Sequence, residues 1–110
     1  PKYLSYEEIM KGIEGIDRST TAGVRDYALI LFLYASGCRI SEALTVQRRD
    51  IVDGWLKIRF AKGQKERMVP LAPPVLEALD DYLQAAGMQS TLLWLNYRGE
   101  QLSRVSAWKI

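Results

Sequence analysis

The stretch RDYALILFLYASGCRISEAL, residues 25–44, decides how this chain is read. Its first half is apolar on most faces, and a helix of that kind is a buried one. It predicts a central core helix over about Val24 to Ser36. Gly37 suits the left-handed position that ends a helix. Ile40, Ala43 and Leu44 recur at i, i+3 and i+4, so a short further helix with one buried face follows. Arg39 stands at the seam. Chain reversals ordinarily carry small or amide residues, so an Arg here, with Glu42 three positions later, must be holding something.

On the N-terminal side, Leu4-Ser5-Tyr6-Glu7-Glu8-Ile9 has the parts of a helix start. Ser5 can cap, Glu8 completes a capping box, and Leu4 and Ile9 are placed as a hydrophobic staple. That helix is expected to stop near Gly12 or Gly15. Residues 17–23, DRSTTAG, are small and polar and read as a loop.

On the C-terminal side, WLKIRF (residues 55–60) alternates. Leu56, Ile58 and Phe60 fall on one face; Trp55, Lys57 and Arg59 fall on the other, giving a strand with a core side and a basic side. AKGQK turns around Gly63. ERMVPL is a second strand, with Pro70 restricting it to an edge or marking its end. The pair reads as a β-hairpin. Pro73-Pro74 then opens a helix with Pro74 near its first position; its apolar stripe is Val75, Leu76, Leu79, Tyr82, Leu83 and Ala86, and Gly87 ends it. TLLWLN reads as a short buried segment and YRGEQ as a turn, and Ser103 is a cap for a last helix. The fold class is therefore α+β, mainly helical, with a small antiparallel hairpin or sheet.

Composition narrows the function. With 110 residues, 48% of them hydrophobic and 25% charged, the chain is the size of one ordinary domain. Its longest apolar run, Tyr27 to Ala35, is too short to cross a bilayer. No signal-peptide pattern opens it. One cysteine excludes an intrachain disulfide and fits a reducing cytoplasm; one cysteine and no histidine argue against a zinc site. The first residue is not Met, which points to a trimmed piece of a longer protein. The net charge of +2 is unevenly spread. Residues 55–70 hold Lys57, Arg59, Lys62, Lys65 and Arg67 against Glu66 alone, a field that attracts polyanions. A solvated basic hairpin is the plain alternative.

Three features stand in one order: R-x-x-E at a helix start, a hairpin whose tip carries Lys62, and KERMVPL before a proline-opened helix. This order resembles the tyrosine recombinase (phage integrase) family, and its Xer-like members most. The family's arginine stretch looks like TG-x-R-x-S-E-x-x-x-L; here it reads Ser36-Gly37-Cys38-Arg39-Ile40-Ser41-Glu42-Ala43-Leu44-Thr45-Val46. The spacing to Asp50-Ile51 also matches. The family's hairpin looks like G-K-G-x-K-x-R-x-V-P-L; here it runs from Ala61 to Leu71, with Ala61 in place of a glycine. The resemblance covers nearly the whole chain. The family's later His-x-x-Arg motif and nucleophilic tyrosine have no counterpart, so residues 1–110 look like the front part of a catalytic domain, expected to be inactive alone.

The resemblance implies site-specific DNA cleavage and rejoining through a 3′-phosphotyrosyl link. It makes Arg39 the guanidinium that clamps the scissile phosphate and Glu42 an acid that orients it, a surface Glu being the alternative. It makes Lys62 the general acid for the departing 5′ oxygen, with Lys65 as the alternative. Lys57, Lys65, Arg67 and Arg49 are implied backbone-phosphate contacts; of Arg48 and Arg49, at most one helps. Double-stranded DNA and other recombinase protomers are the implied partners. No cofactor or metal is implied, because arginine and lysine supply the positive charge. A non-catalytic DNA-binding or assembly module on the same fold is the other reading. Cys38 is expected to pack, as are Trp94 and Trp108. Leu92, Leu93, Trp94, Val105 and Trp108 are expected to form an uncovered apolar patch.

Overall fold

The computed structural model describes residues 6–58, 66–87, 90–96 and 98–103. In chain order it holds α1 (Tyr6–Glu14), α2 (Thr21–Ser36), the one-turn α3 (Ile40–Ala43), a 3-10 turn (Arg48–Asp50), β1 (Ile51–Val52), β2 (Trp55–Ile58), β3 (Arg67–Pro70) and α4 (Pro73–Ala86). The Ser5 cap, the Leu4–Ile9 staple and the Ser103-capped helix lie outside the described residues. Helix α1 runs through Gly12 and ends before Gly15.

Helix α2 starts earlier than its apolar run. Thr20 is extended (φ −113°, ψ 155°) and its hydroxyl accepts the Gly23 N–H at 3.0 Å, which satisfies a first-turn donor. Asp17 folds the preceding loop by accepting both the N–H and the hydroxyl of Ser19, at 2.9 and 2.6 Å. The loop then packs so closely on the helix that a Cβ on Gly23 would lie 1.6 Å from the Asp17 carbonyl oxygen. Gly23 therefore belongs to the first turn and is not a breaker. At the other end Gly37 takes φ 69° and its N–H returns to Leu33 O, the left-handed stop the sequence implied.

Strands β1, β2 and β3 form an antiparallel sheet in that order. Asp53 and Gly54 both have positive φ, 52° and 81°, the two-residue turn that joins β1 to β2. Leu56 pairs with Ile51 and Val69, and Ile58 with Arg67. Leu56 and Ile58 are buried on the inner face. Val52, Trp55, Lys57, Met68 and Pro70 share the outer one. Pro70 sits on an edge strand, where its missing N–H costs no ladder bond.

Helix α4 begins with Pro73 at its first position, one residue before the expected one, and its stripe packs on α2 and the sheet. The centre of the core is aromatic. Trp94 is fully buried, stacked on Tyr82 at 5.3 Å and edge-on to Phe32 at 5.4 Å. The Tyr82 hydroxyl accepts the Leu95 N–H at 2.9 Å. This corrects the expected uncovered patch: Leu93 and Trp94 are inside, because residues 91–93 run beside 46–48 through Leu93 N–H to Val46 O and Arg48 N–H to Thr91 O. Val105 and Trp108 lie outside the described residues.

Candidate functional site

The site is built on the turn between α2 and α3. Arg39 is extended (φ −77°, ψ 154°), caps α3 and is exposed. Its backbone N–H donates to Glu42 Oε1 at 2.9 Å. Arginine has no acceptor to return the bond, so this is half of a capping box. The carboxylate thus grips the backbone of Arg39. The guanidinium forms no hydrogen bond or ion pair with another described residue. An Arg held at its Cα with its charge unspent can bind an incoming anion. Glu42 orients Arg39 through the main chain and not through the guanidinium. Helix α3 is a single turn, so its dipole adds little positive field at this turn.

The turn is anchored behind. The Ser36 hydroxyl, buried at the end of α2, accepts the Cys38 N–H at 3.2 Å. The Gln101 side-chain amide donates to Leu44 O at 2.9 Å, just past α3. Asp50, also buried, accepts the Gln47 N–H at 2.9 Å and closes the 3-10 turn. Burial pushes the Cys38 thiol above its ordinary value near 9.0; Ser36 pulls it down, the Glu42 carboxylate pushes it up, and the Arg67 charge pulls it down. Cys38 is a packing residue, as its sequence position implied.

The basic residues divide. Arg67, opposite Ile58 in β3, is close enough for its charge to lower the pKa of the Cys38 thiol. Lys57 is on the outer sheet face and pairs with Glu66 at 3.1 Å. Arg49 is exposed and unpaired among the described residues. Arg48 is structural, since it donates to Gly87 O at 2.5 Å and joins the 3-10 turn to the end of α4. Lys62 and Lys65 lie outside the described residues. Trp55 is exposed beside Val52 and Met68. No group of three or more His, Cys, Asp or Glu among the described residues could hold a metal ion, and no described helix is long and apolar enough to cross a membrane.

A sequence model of the phage integrase family matches residues 2–110. The chain belongs to the phage integrase family. Tyrosine recombinase XerD of Staphylococcus haemolyticus (strain JCSC1435) is 34% identical over all of this chain and 40% of its own length. XerH site-specific recombinase, solved bound to its difH substrate in a pre-cleavage complex, matches 96% of this chain and 33% of its own at 27% identity and a TM-score of 0.72. Lambda integrase, solved as a tetramer bound to a Holliday junction, shares the fold at 21% identity and a TM-score of 0.73, over 96% of this chain and 32% of its own. This phage integrase family chain thus spans about 40% of the length of its XerD relative.

Sequence reasoning misses two contributors to the integrase turn. Ser36 is one of two buried polar side chains among the described residues, with Asp50; a serine at the end of so apolar a helix is the available signal. The influence of Arg67 on Cys38 joins residues 29 positions apart in the chain, which no local pattern carries.

Proposed function

We propose that this chain supplies the arginine and lysine part of a tyrosine recombinase catalytic domain, which cleaves and rejoins double-stranded DNA at specific sites. The observation that carries the reading is the Arg39 guanidinium, unpaired among the described residues on a backbone fixed by Glu42, within a chain whose residues 2–110 match the family's sequence model.

In this reading a tyrosine hydroxyl from outside residues 1–110 attacks the phosphorus. The P–O5′ bond breaks, the 3′ phosphate becomes bonded to tyrosine, and attack by a 5′ hydroxyl reverses the step. Arg39 holds two non-bridging oxygens as their negative charge grows, and it stays charged throughout. Lys62, in the sequence between β2 and β3, gives its proton to the leaving 5′ oxygen. Arg49, Lys65 and Arg67 contact flanking phosphates. Lys57 does so after releasing Glu66, a trade of well under about 1 kcal/mol for an exposed pair. Other protomers assemble on the same DNA, and the setting is cytoplasmic.

The test replaces the matching segment of S. haemolyticus XerD by residues 1–110 and offers the chimera a nicked suicide substrate. A covalent protein–DNA adduct is expected from the chimera and none from residues 1–110 alone. A folded, DNA-bound chimera that yields no adduct overturns the reading.

A further inference from the structure

Three successive N–H groups cross the turn below Arg39, and each has a different kind of acceptor. Gly37 N–H returns to Leu33 O at 3.0 Å, within the ladder of α2. Arg39 N–H goes forward to Glu42 Oε1 at 2.9 Å, within α3. Cys38 N–H, between them, goes to the Ser36 hydroxyl oxygen at 3.2 Å. This middle bond spans Gly37 and ties the last residue of α2 to the residue before the α3 cap. The residue between Ser36 and Cys38 is Gly37, at φ 69°, whose missing side chain leaves its dihedrals less restricted than those of other residues.

We propose that Ser36 is a positioning residue for Arg39: its buried hydroxyl holds the Cys38 N–H and fixes the direction in which the guanidinium leaves the turn. The inference rests on the proposed phosphate role of Arg39. Ser36 and Cys38 are 6% and 8% exposed, so water is poorly placed to replace the hydroxyl. Without it the Cys38 N–H is buried and unsatisfied, a state the chain leaves by rotating the turn. Rotation about Gly37 moves the base of Arg39, and a misplacement of about 1 Å costs on the order of a hundredfold in a reaction that depends on alignment. Ser36→Ala removes one oxygen and no packing atom of the core, so its effect is centred on the turn.

Two measurements test this. In residues 1–110, amide exchange is followed by NMR in Ser36→Ala and Ser36→Thr. Ser36→Ala is expected to speed exchange at Cys38 and Arg39 by about tenfold, the worth of one hydrogen bond, with Phe32 and Leu79 unchanged. Ser36→Thr keeps a hydroxyl and keeps both amides protected. Unchanged Arg39 exchange in Ser36→Ala, or equal loss in Ser36→Thr, overturns the proposal. In the XerD chimera, Ser36→Ala should lower single-turnover cleavage at saturating DNA by about tenfold, with Kd within about twofold, and Ser36→Thr should restore it. Cleavage by Ser36→Ala at the parent rate also overturns it. If the unsubstituted chimera forms no adduct, the recombinase reading has failed, and the exchange measurement still decides whether Ser36 holds the turn.

Discussion

Replacing Glu42 by Gln and by Ala separates two ways in which an acid could serve Arg39. The carboxylate accepts the Arg39 N–H at 2.9 Å and takes no bond from the guanidinium. Gln has an oxygen in the same place and the same helix propensity, so it can keep the bond without the charge. Ala cannot. A capping bond of this kind is worth about 1 kcal/mol, toward the low end for a charged acceptor because the site is partly exposed. For a domain of this length about 1 kcal/mol lowers Tm by roughly 5 °C. Glu42→Ala should therefore melt about 5 °C lower, while Glu42→Gln should stay within about 2 °C of the parent. In the XerD chimera Glu42→Gln should cleave near the parent rate, and Glu42→Ala should lose about tenfold as the turn loosens. Thermal and urea denaturation of residues 1–110, with single-turnover cleavage by the chimera, would show this. If Glu42→Gln loses as much as Glu42→Ala, the charge matters rather than the acceptor, and the backbone-grip argument is wrong.

Three further outcomes follow from other parts of the molecule. Gly23→Ala should destabilise by about 1–3 kcal/mol, because its Cβ would sit 1.6 Å from Asp17 O and the loop must move away; Gly12→Ala, mid-helix with nothing within 4 Å, should stabilise by up to about 1 kcal/mol, and equal Tm changes of one sign would refute the contrast. Burial raises both the Cys38 thiol and the Tyr82 phenol, whose ordinary values are 9.0 and 10.0; the folded state then holds protons that the unfolded state releases, so stability is full below about pH 9 and falls above it. A Tm flat from about pH 8 to 11 would contradict this. DNA affinity should fall steeply with salt, and Lys62→Ala with Lys65→Ala should flatten the slope by about 1 per lost phosphate contact, more than Lys57→Ala, whose charge Glu66 already meets at 3.1 Å; an unchanged slope would remove the hairpin from the DNA surface.

Much of this is legible in the residues alone, for physical reasons. The run from Tyr27 to Ala35 can only be a core helix, and Gly37 can only be its end. Leu56 and Ile58 alternate with Trp55 and Lys57, which set the inner face of the sheet. The start of α2 is hidden because Thr20 and Gly23 look like loop residues; Gly23 is required by the approach of Asp17, a tertiary contact. Strand β1 is two residues long and has no period of its own, although Asp53-Gly54 is a strong hairpin signal that would find it. The apolar pattern around Trp94 is enough to expect its burial, but not to exclude an open patch that takes in Leu93 as well, because the pairing of residues 91–93 with 46–48 joins segments far apart in the chain. At the site, the R-x-x-E spacing exposes Arg39 and Glu42 but cannot show that the bond between them runs through the backbone.

If Arg39 clamps the phosphate as its charge develops, the single-turnover cleavage rate of Arg39→Lys in the XerD chimera at saturating DNA is the decisive quantity. Lysine keeps the charge and loses the two-pronged donor set. The rate is expected to fall by on the order of a hundredfold or more, with Kd and Tm nearly unchanged. A rate within about threefold of the parent, or a loss that tracks a fall in Tm, would mean that Arg39 serves the turn and not the phosphate.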